Sequence, residues 1–228
     1  MITAQIIALS KARSILYRFL GSVYLMEIDE TMLKALKKIR FPEVEGDEDA
    51  DMDLREGYAL MQQVISRTEV PDLDDLAADY AKVFLAAGDA AGLAAFPYES
   101  VYVDKKHQVG GSTAMKMKAL YLERGYEPDP AMYRTMDDTL GLMLEYMGIL
   151  CEELTQALEK GDEKKAEQLF AEQEQFVPKH LTNWIFSFTS DVMKFAGTDF
   201  YKAIAKITNG FMKKETALLK GGRLWDTV

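Results

Sequence analysis

Met132–Gly161, MYRTMDDTLGLMLEYMGILCEELTQALEKG, is the stretch on which the fold of this chain turns. Met132, Met136, Leu140, Met143, Leu144, Met147, Leu150, Leu154 and Leu158 recur mostly at steps of three and four, which lines apolar side chains along one face of a helix. Gly161 stands where a C-cap is expected. Downstream, Asp162 is placed to cap the next helix, and Pro178 fits the first turn of another through Leu181, Trp184, Ile185 and Phe188. Thr198 opens a last helix carrying Phe200, Tyr201, Ile204, Ile207, Phe211 and Leu218.

Upstream the pattern is the same. Ile6, Leu9, Ile15, Leu16, Phe19, Leu20 and Val23 make one amphipathic helix from Thr3 to Met26, with Lys11, Ser14 and Arg18 between them. Asp29 caps a helix holding Met32, Leu33, Leu36 and Ile39, which Phe41-Pro42 ends. The acidic run Glu43–Asp53 has little to bury and reads as a solvated loop. Helix resumes through Leu54, Tyr58, Met61, Val64 and Ile65, and after Pro71 through Leu73, Leu76, Tyr80 and Phe84. A further helix spans Ser112–Glu123, and Glu127-Pro128-Asp129-Pro130 ends it with two prolines, a candidate hinge. No segment alternates with period two, so the chain reads as all-α.

Composition bounds the rest. At 228 residues and 48% hydrophobic content the chain can bury a sizeable core. Its net charge of −10 disfavours nucleic acid and favours a basic ligand. One cysteine, Cys151, excludes an intrachain disulfide, and with only His107 and His180 besides there is little to build a zinc site. Lys11, Arg13 and Arg18 interrupt the apolar N-terminus, and no stretch reaches the roughly 18 to 20 apolar residues a bilayer requires. A reducing cytoplasm is the expected compartment.

Catalysis is disfavoured. There is no phosphate-binding glycine loop, no H-E-x-x-H and no paired E-x-x-H; Ser100 has no histidine at a recognisable spacing, and Cys151 lies in an apolar helical pattern. No catalytic residue, metal or cofactor is assigned. A peptide receptor needs less: an apolar groove, a few fixed hydrogen-bonding groups and carboxylates for cationic side chains. Residues 86–113 break the helical pattern as a long loop with an aromatic centre, and such loops are commonly functional. Pro97, Tyr98, Glu99, Ser100 and Tyr102 supply surface, charge and hydrogen-bonding groups there. Asp138 and Glu145, seven apart, would share one face of the long helix with Leu142, Thr139 lying beside Asp138. Taken alone, a packed connector and a solvated acidic stripe explain these residues better.

The order of Phe96-Pro97-Tyr98-Glu99-Ser100-Val101-Tyr102, Tyr126-Glu127-Pro128-Asp129, Asp138-Thr139-Leu140 and Leu144-Glu145-Tyr146-Met147 resembles the TorD/DmsD/NarJ family from about Tyr80 onward. The resemblance implies an all-α, two-lobed bundle of about nine to eleven helices: an N-terminal lobe 1–125 that includes the 86–113 loop, a hinge at 126–130 (Glu127, Pro128, Asp129) and a C-terminal lobe 131–228. It implies a cytoplasmic chaperone, monomer or domain-swapped homodimer. Such a chaperone binds the twin-arginine signal peptide and apo form of a molybdoenzyme catalytic subunit until cofactor insertion. The peptide-binding positions carried over are Tyr98, Ser100, Tyr102, Asp138 and Thr139, with Tyr80 and Phe84 in the preceding helix. The family's histidine is replaced by Thr139, which cannot titrate, and a proline-containing insertion separates Asp129 from Asp138. A helical adaptor for another cytosolic partner is the alternative, and a small-molecule-binding helical protein a third.

Overall fold

The computed structural model describes residues 4–88, 94–129 and 135–221, which form ten α-helices and no strand. The first four are α1 (Ala4–Leu25), α2 (Glu30–Leu36), α3 (Asp49–Arg67) and α4 (Leu73–Leu85). Then come α5 (Glu99–Val103), α6 (Ser112–Glu123), α7 (Leu140–Glu159) and α8 (Glu163–Phe176). After a π-helical turn at Val177–Leu181 follow α9 (Ile185–Phe195) and α10 (Asp199–Lys220). Among the described residues no helix is long and apolar enough to cross a membrane.

Caps stop and start these helices where the residue types require. Asp29 Oδ1 accepts from the Met32 amide at 2.7 Å, and Asp162 Oδ1 from the Lys165 amide at 3.0 Å. Gly161 takes the left-handed φ of +71° that closes α7. Three expectations change. Within the stretch 86–113, expected as loop, Glu99–Val103 forms the short helix α5. The acidic run is helical from Asp49 onward, with Asp51 buried and paired to Lys214 at 2.8 Å; acidic residues suit a helix N-terminus, and a lysine partner offsets the burial. The long helix begins at Leu140, not Met132, and residues 130–134 lie outside the described ones.

The chain divides into two interleaved units, Met1–Leu25 with Tyr98–Trp184 and Glu215–Val228, and Met26–Pro97 with Ile185–Lys214. In the first of them α1 packs on α7 and the end of α10 pairs back onto α1.

In the first unit α1 and α7 run antiparallel along a seam of small residues. Ser10 Oγ donates to the Cys151 carbonyl at 2.9 Å and Ser14 Oγ to the Gly148 carbonyl at 2.8 Å. A Cβ on Gly141 would overlap the Leu25 side chain and lie 2.9 Å from the Gly21 carbonyl oxygen, so the two backbones are as close as glycine permits. Gly141→Val is therefore expected to lower stability by about 3 kcal/mol or more, since neither backbone can yield; a urea midpoint within error of wild type would contradict this. Cys151 is buried in the same seam, and desolvation pushes its thiol up to about 12. In native buffer near pH 8 it should resist Ellman's reagent for hours and react within minutes in denaturant.

In the second unit α3 and α10 meet as closely, a Cβ on Gly210 falling 2.7 Å from the Ala50 carbonyl oxygen. Asp79 on α4 accepts from the Gly197 amide at 2.9 Å, the Thr198 amide at 2.8 Å and the Thr198 hydroxyl at 2.6 Å, tying α4 to the start of α10. Tyr80, Phe84, Phe188 and Tyr201 form its aromatic core, with the Phe84 and Tyr201 rings edge to face at 5.4 Å.

Candidate functional site

The cleft and the expected site residues lie in the first unit, apart from Pro97, Tyr80 and Phe84. A cleft of about 420 Å³ opens between α6, the segment that follows it and the entrance to α7. Lys118, Tyr121 and Leu122 come from α6; Tyr126, Glu127 and Pro128 from the segment; Thr135, Asp137 and Leu142 from the approach to α7 and its first turn. Gly125, at φ +71°, makes the turn after α6, with the Tyr126 amide donating to the Tyr121 carbonyl at 2.8 Å. Tyr126 thereby folds back edge-on against Tyr121, ring centroids 4.9 Å apart, and its hydroxyl donates to Glu145 Oε2 at 3.1 Å.

The cleft joins apolar walls to two carboxylates, the exposed Glu127 and the half-buried Asp137. The Tyr121 hydroxyl is buried without a hydrogen-bond partner among the described residues. Burial, and then Tyr126 and Asp137 nearby, hold it well above the usual phenol range, so it keeps its proton. A buried hydroxyl left unpaired costs stability.

Beside the cleft, Tyr98 and the first turn of α5 are held by the segment leading into α7. Tyr98 and Thr139 form an antiparallel bridge. The Glu99 amide donates to the Asp138 carbonyl at 3.0 Å, and the Ser100 amide to Asp138 Oδ2 at 2.9 Å. Ser100 Oγ in turn accepts from the Gly110 amide at 3.0 Å. The Tyr98 hydroxyl reaches Thr135 Oγ1, on the cleft wall, at 3.2 Å.

The expected site residues thus separate. Leu142, Glu127 and Pro128 line the cleft, and Tyr98 touches it through Thr135. Asp138 does not share a helical face with Glu145: it precedes α7 and is 0% exposed, because its carboxylate is used inward on the loop. Ser100 and Thr139 are buried with it. Glu99, 3% exposed, faces His180 Nδ1 at 3.1 Å and Asn183 Nδ2 at 3.5 Å instead of solvent. Tyr102 stacks on Trp184 with ring centroids 5.4 Å apart. Glu145 is half-buried under the Tyr126 hydroxyl, and Pro97 is buried. Tyr80 and Phe84 are core residues of the second unit.

Of the residues that line the cleft, Lys118, Tyr121, Leu122, Tyr126, Thr135 and Asp137 were not singled out from the sequence as site residues. The nearest signal is the pair Asp137-Asp138, of which Asp137 reaches the cleft and Asp138 turns inward to the loop amide. In a non-helical approach to α7, adjacent side chains point different ways, and the inner one had a loop amide to satisfy. Among the described residues no cluster of three or more His, Cys, Asp or Glu side chains is placed to hold a metal ion.

The model of the family described as nitrate reductase delta subunit matches residues 47–190, a span that contains the cleft. A chaperone protein TorD from Vibrio parahaemolyticus is 24% identical over 221 residues, covering 95% of this chain and 99% of its own. One from Shewanella pealeana is 26% identical, covering 96% and 94%. A third, from Photobacterium profundum, is 30% identical over 147 residues, 64% of this chain and 65% of its own.

Proposed function

Because this chain belongs to the nitrate reductase delta subunit family, in which the TorD chaperones fall, we propose that it is a non-catalytic cytoplasmic chaperone for a molybdoenzyme catalytic subunit. It binds the twin-arginine signal peptide of that subunit in the cleft between α6 and α7 and delays export until the cofactor is inserted. The observation that carries this reading is the pairing of apolar walls, Leu122 and Leu142 among them, with Glu127 and Asp137 at one concave surface. The walls suit the apolar run of a leader, and the carboxylates suit its guanidinium groups, which donate bidentate hydrogen bonds to them. The chain's net charge of −10 adds attraction at long range.

Calorimetric titration with a synthetic leader peptide tests this. The double variant Glu127→Gln, Asp137→Asn should bind about tenfold more weakly at low salt, with the difference shrinking as salt rises. Citrulline in place of both arginines should produce the same loss in the wild type and little further loss in the variant. Equal affinity for the arginine and citrulline peptides would instead favour a general helical adaptor. In the same proposal Glu127-Pro128-Asp129 is the joint at which 131–228 would exchange between two copies. Light scattering after size exclusion would report such a dimer.

A further inference from the structure

The corner where α5 turns into α6 is opposite in charge to the chain as a whole. From Ser100 to Leu122 the sequence holds Lys105, Lys106, Lys116 and Lys118 against one acidic residue, Asp104, in a chain of net charge −10. Several lysines elsewhere are paired on the surface: Lys11 with Glu159, Lys37 with Glu69, Lys206 with Glu56 and Lys213 with Asp53. The four at the corner are exposed, and among the described residues none of them makes a salt bridge.

Apolar side chains stand among these lysines. Val103, Val109 and Met115 are exposed, Met115 by 68%. On α6, Met115, Ala119 and Leu122 follow at steps of four and three, an outward ridge with Lys118 on one flank and Lys116 on the other. Hydrogen bonds fix the shape of the corner. The His107 amide donates to the Asp104 carbonyl at 3.0 Å, His107 Nδ1 is 2.8 Å from the Val101 carbonyl oxygen, and Thr113 Oγ1 donates to Asp104 Oδ1 at 2.6 Å. A surface already in shape has less to order when a partner arrives.

The corner is continuous with the cleft. Lys118 and Leu122 belong to both. Met136, set between the cleft residues Thr135 and Asp137, is exposed, and its sulfur is 3.8 Å from where a Cβ on Gly110 would stand. From Lys118 back to Ser112 the helix rises about 9 Å, which extended peptide covers in about three residues. Asp104, with Lys105 and Lys106 following it, is held at that end of α6.

Charge and surface select the occupant. Lysines without partners favour carboxylates, and the ridge between them favours a segment that also carries apolar side chains. An anionic membrane would extend beyond the corner and meet the acidic remainder of the chain, whereas a single strand of peptide stays on the corner. We propose that the α5–α6 corner is a docking surface for an acidic, apolar-bearing segment of the client, next to the leader held in the cleft. The assignment rests on the leader-binding reading above. It gives the client a second requirement, opposite in sign to its arginine pair.

The test compares three synthetic peptides by calorimetry: a leader with an arginine pair and an apolar run, the same leader extended at its C-terminal end by a tail of alternating glutamate and leucine, and one whose tail has glutamine for glutamate. The glutamate tail should tighten binding about tenfold over the leader alone at low salt, with the gain shrinking as salt rises, and the glutamine tail should not. The exposed triple variant Lys105→Gln, Lys106→Gln, Lys116→Gln should lose that gain and bind the unextended leader as the wild type does. In 1H–15N spectra the amides of Lys105, Lys106, Met115 and Lys116 should shift with the glutamate tail and stay in place with the leader alone. Equal affinity for the two tails, or a gain that survives in the triple variant, overturns the docking surface while leaving leader binding intact. Lysine-dependent sedimentation with phosphatidylglycerol vesicles, without a gain for the glutamate tail, would assign the corner to a membrane and overturn it too. Failure of all three peptides to bind overturns both readings.

Discussion

Replacing Glu215 by alanine is expected to destabilise the protein by about 3–5 kcal/mol, because it strands a buried guanidinium. Arg13 on α1 is 4% exposed and Glu215, near the end of α10, is 2% exposed. The guanidinium donates from Nε to Glu215 Oε1 and from Nη2 to Oε2, both at 2.7 Å, and from Nη2 to Gln173 Oε1 on α8 at 2.7 Å. The Tyr17 hydroxyl completes the cluster by donating to Glu215 Oε2 at 2.7 Å. Burial alone would lower the Arg13 pKa, but Glu215, together with Cys151 and Tyr17, more than offsets this and holds it above the ordinary value. Arginine cannot escape by shedding its proton, as a buried lysine can. Urea unfolding of Glu215→Ala should show the loss, and the double variant Arg13→Met, Glu215→Leu should recover most of it, since the pair is then replaced by apolar volume. A single-variant loss below about 1 kcal/mol would mean that water reaches this cluster and that it does not pin α10 to α1.

Asp138→Ala should cost about 2–3 kcal/mol and weaken peptide binding through the loop, not through a lost contact with the ligand. The carboxylate holds the Ser100 amide at 2.9 Å in a fully buried setting, and its removal leaves that amide unpaired at the start of α5. Asp138→Asn keeps an oxygen that can accept from Ser100, so it should retain most of the stability and most of the binding. Were Asp138 instead a direct partner for a guanidinium, the asparagine variant would fold normally and lose affinity. Stability by urea, affinity by calorimetry and the Ser100 amide shift in 1H–15N spectra separate the two outcomes.

These two residues mark where local sequence stopped informing the structure. Periodicity located α1 as Thr3–Met26 against Ala4–Leu25, because a two-sided helix must place apolar residues at three and four residue steps whatever it packs against. Asp29 and Gly161 were equally legible, since capping is settled within a few residues. The start of α7 was not. Met132 and Met136 fit the helical repeat, yet Asp138 and Thr139 are drawn into a bridge with Tyr98 and Glu99, partners about forty positions away. The face shared by Asp138 and Glu145 disappears with that change, and Asp137 takes the place at the cleft.

From the sequence alone came the all-α class, most helix limits, and the family, through ordered short motifs. Each rests on neighbours in the chain or on spacing along it. Only the tertiary structure decided which charges face inward. Arg13 reads as an interruption in an apolar helix until Glu215 is brought against it, and Glu99 as a ligand for cations until His180 meets it. The cost of burying a charge depends on the partner that packing supplies, and no spacing rule in the chain encodes that partner.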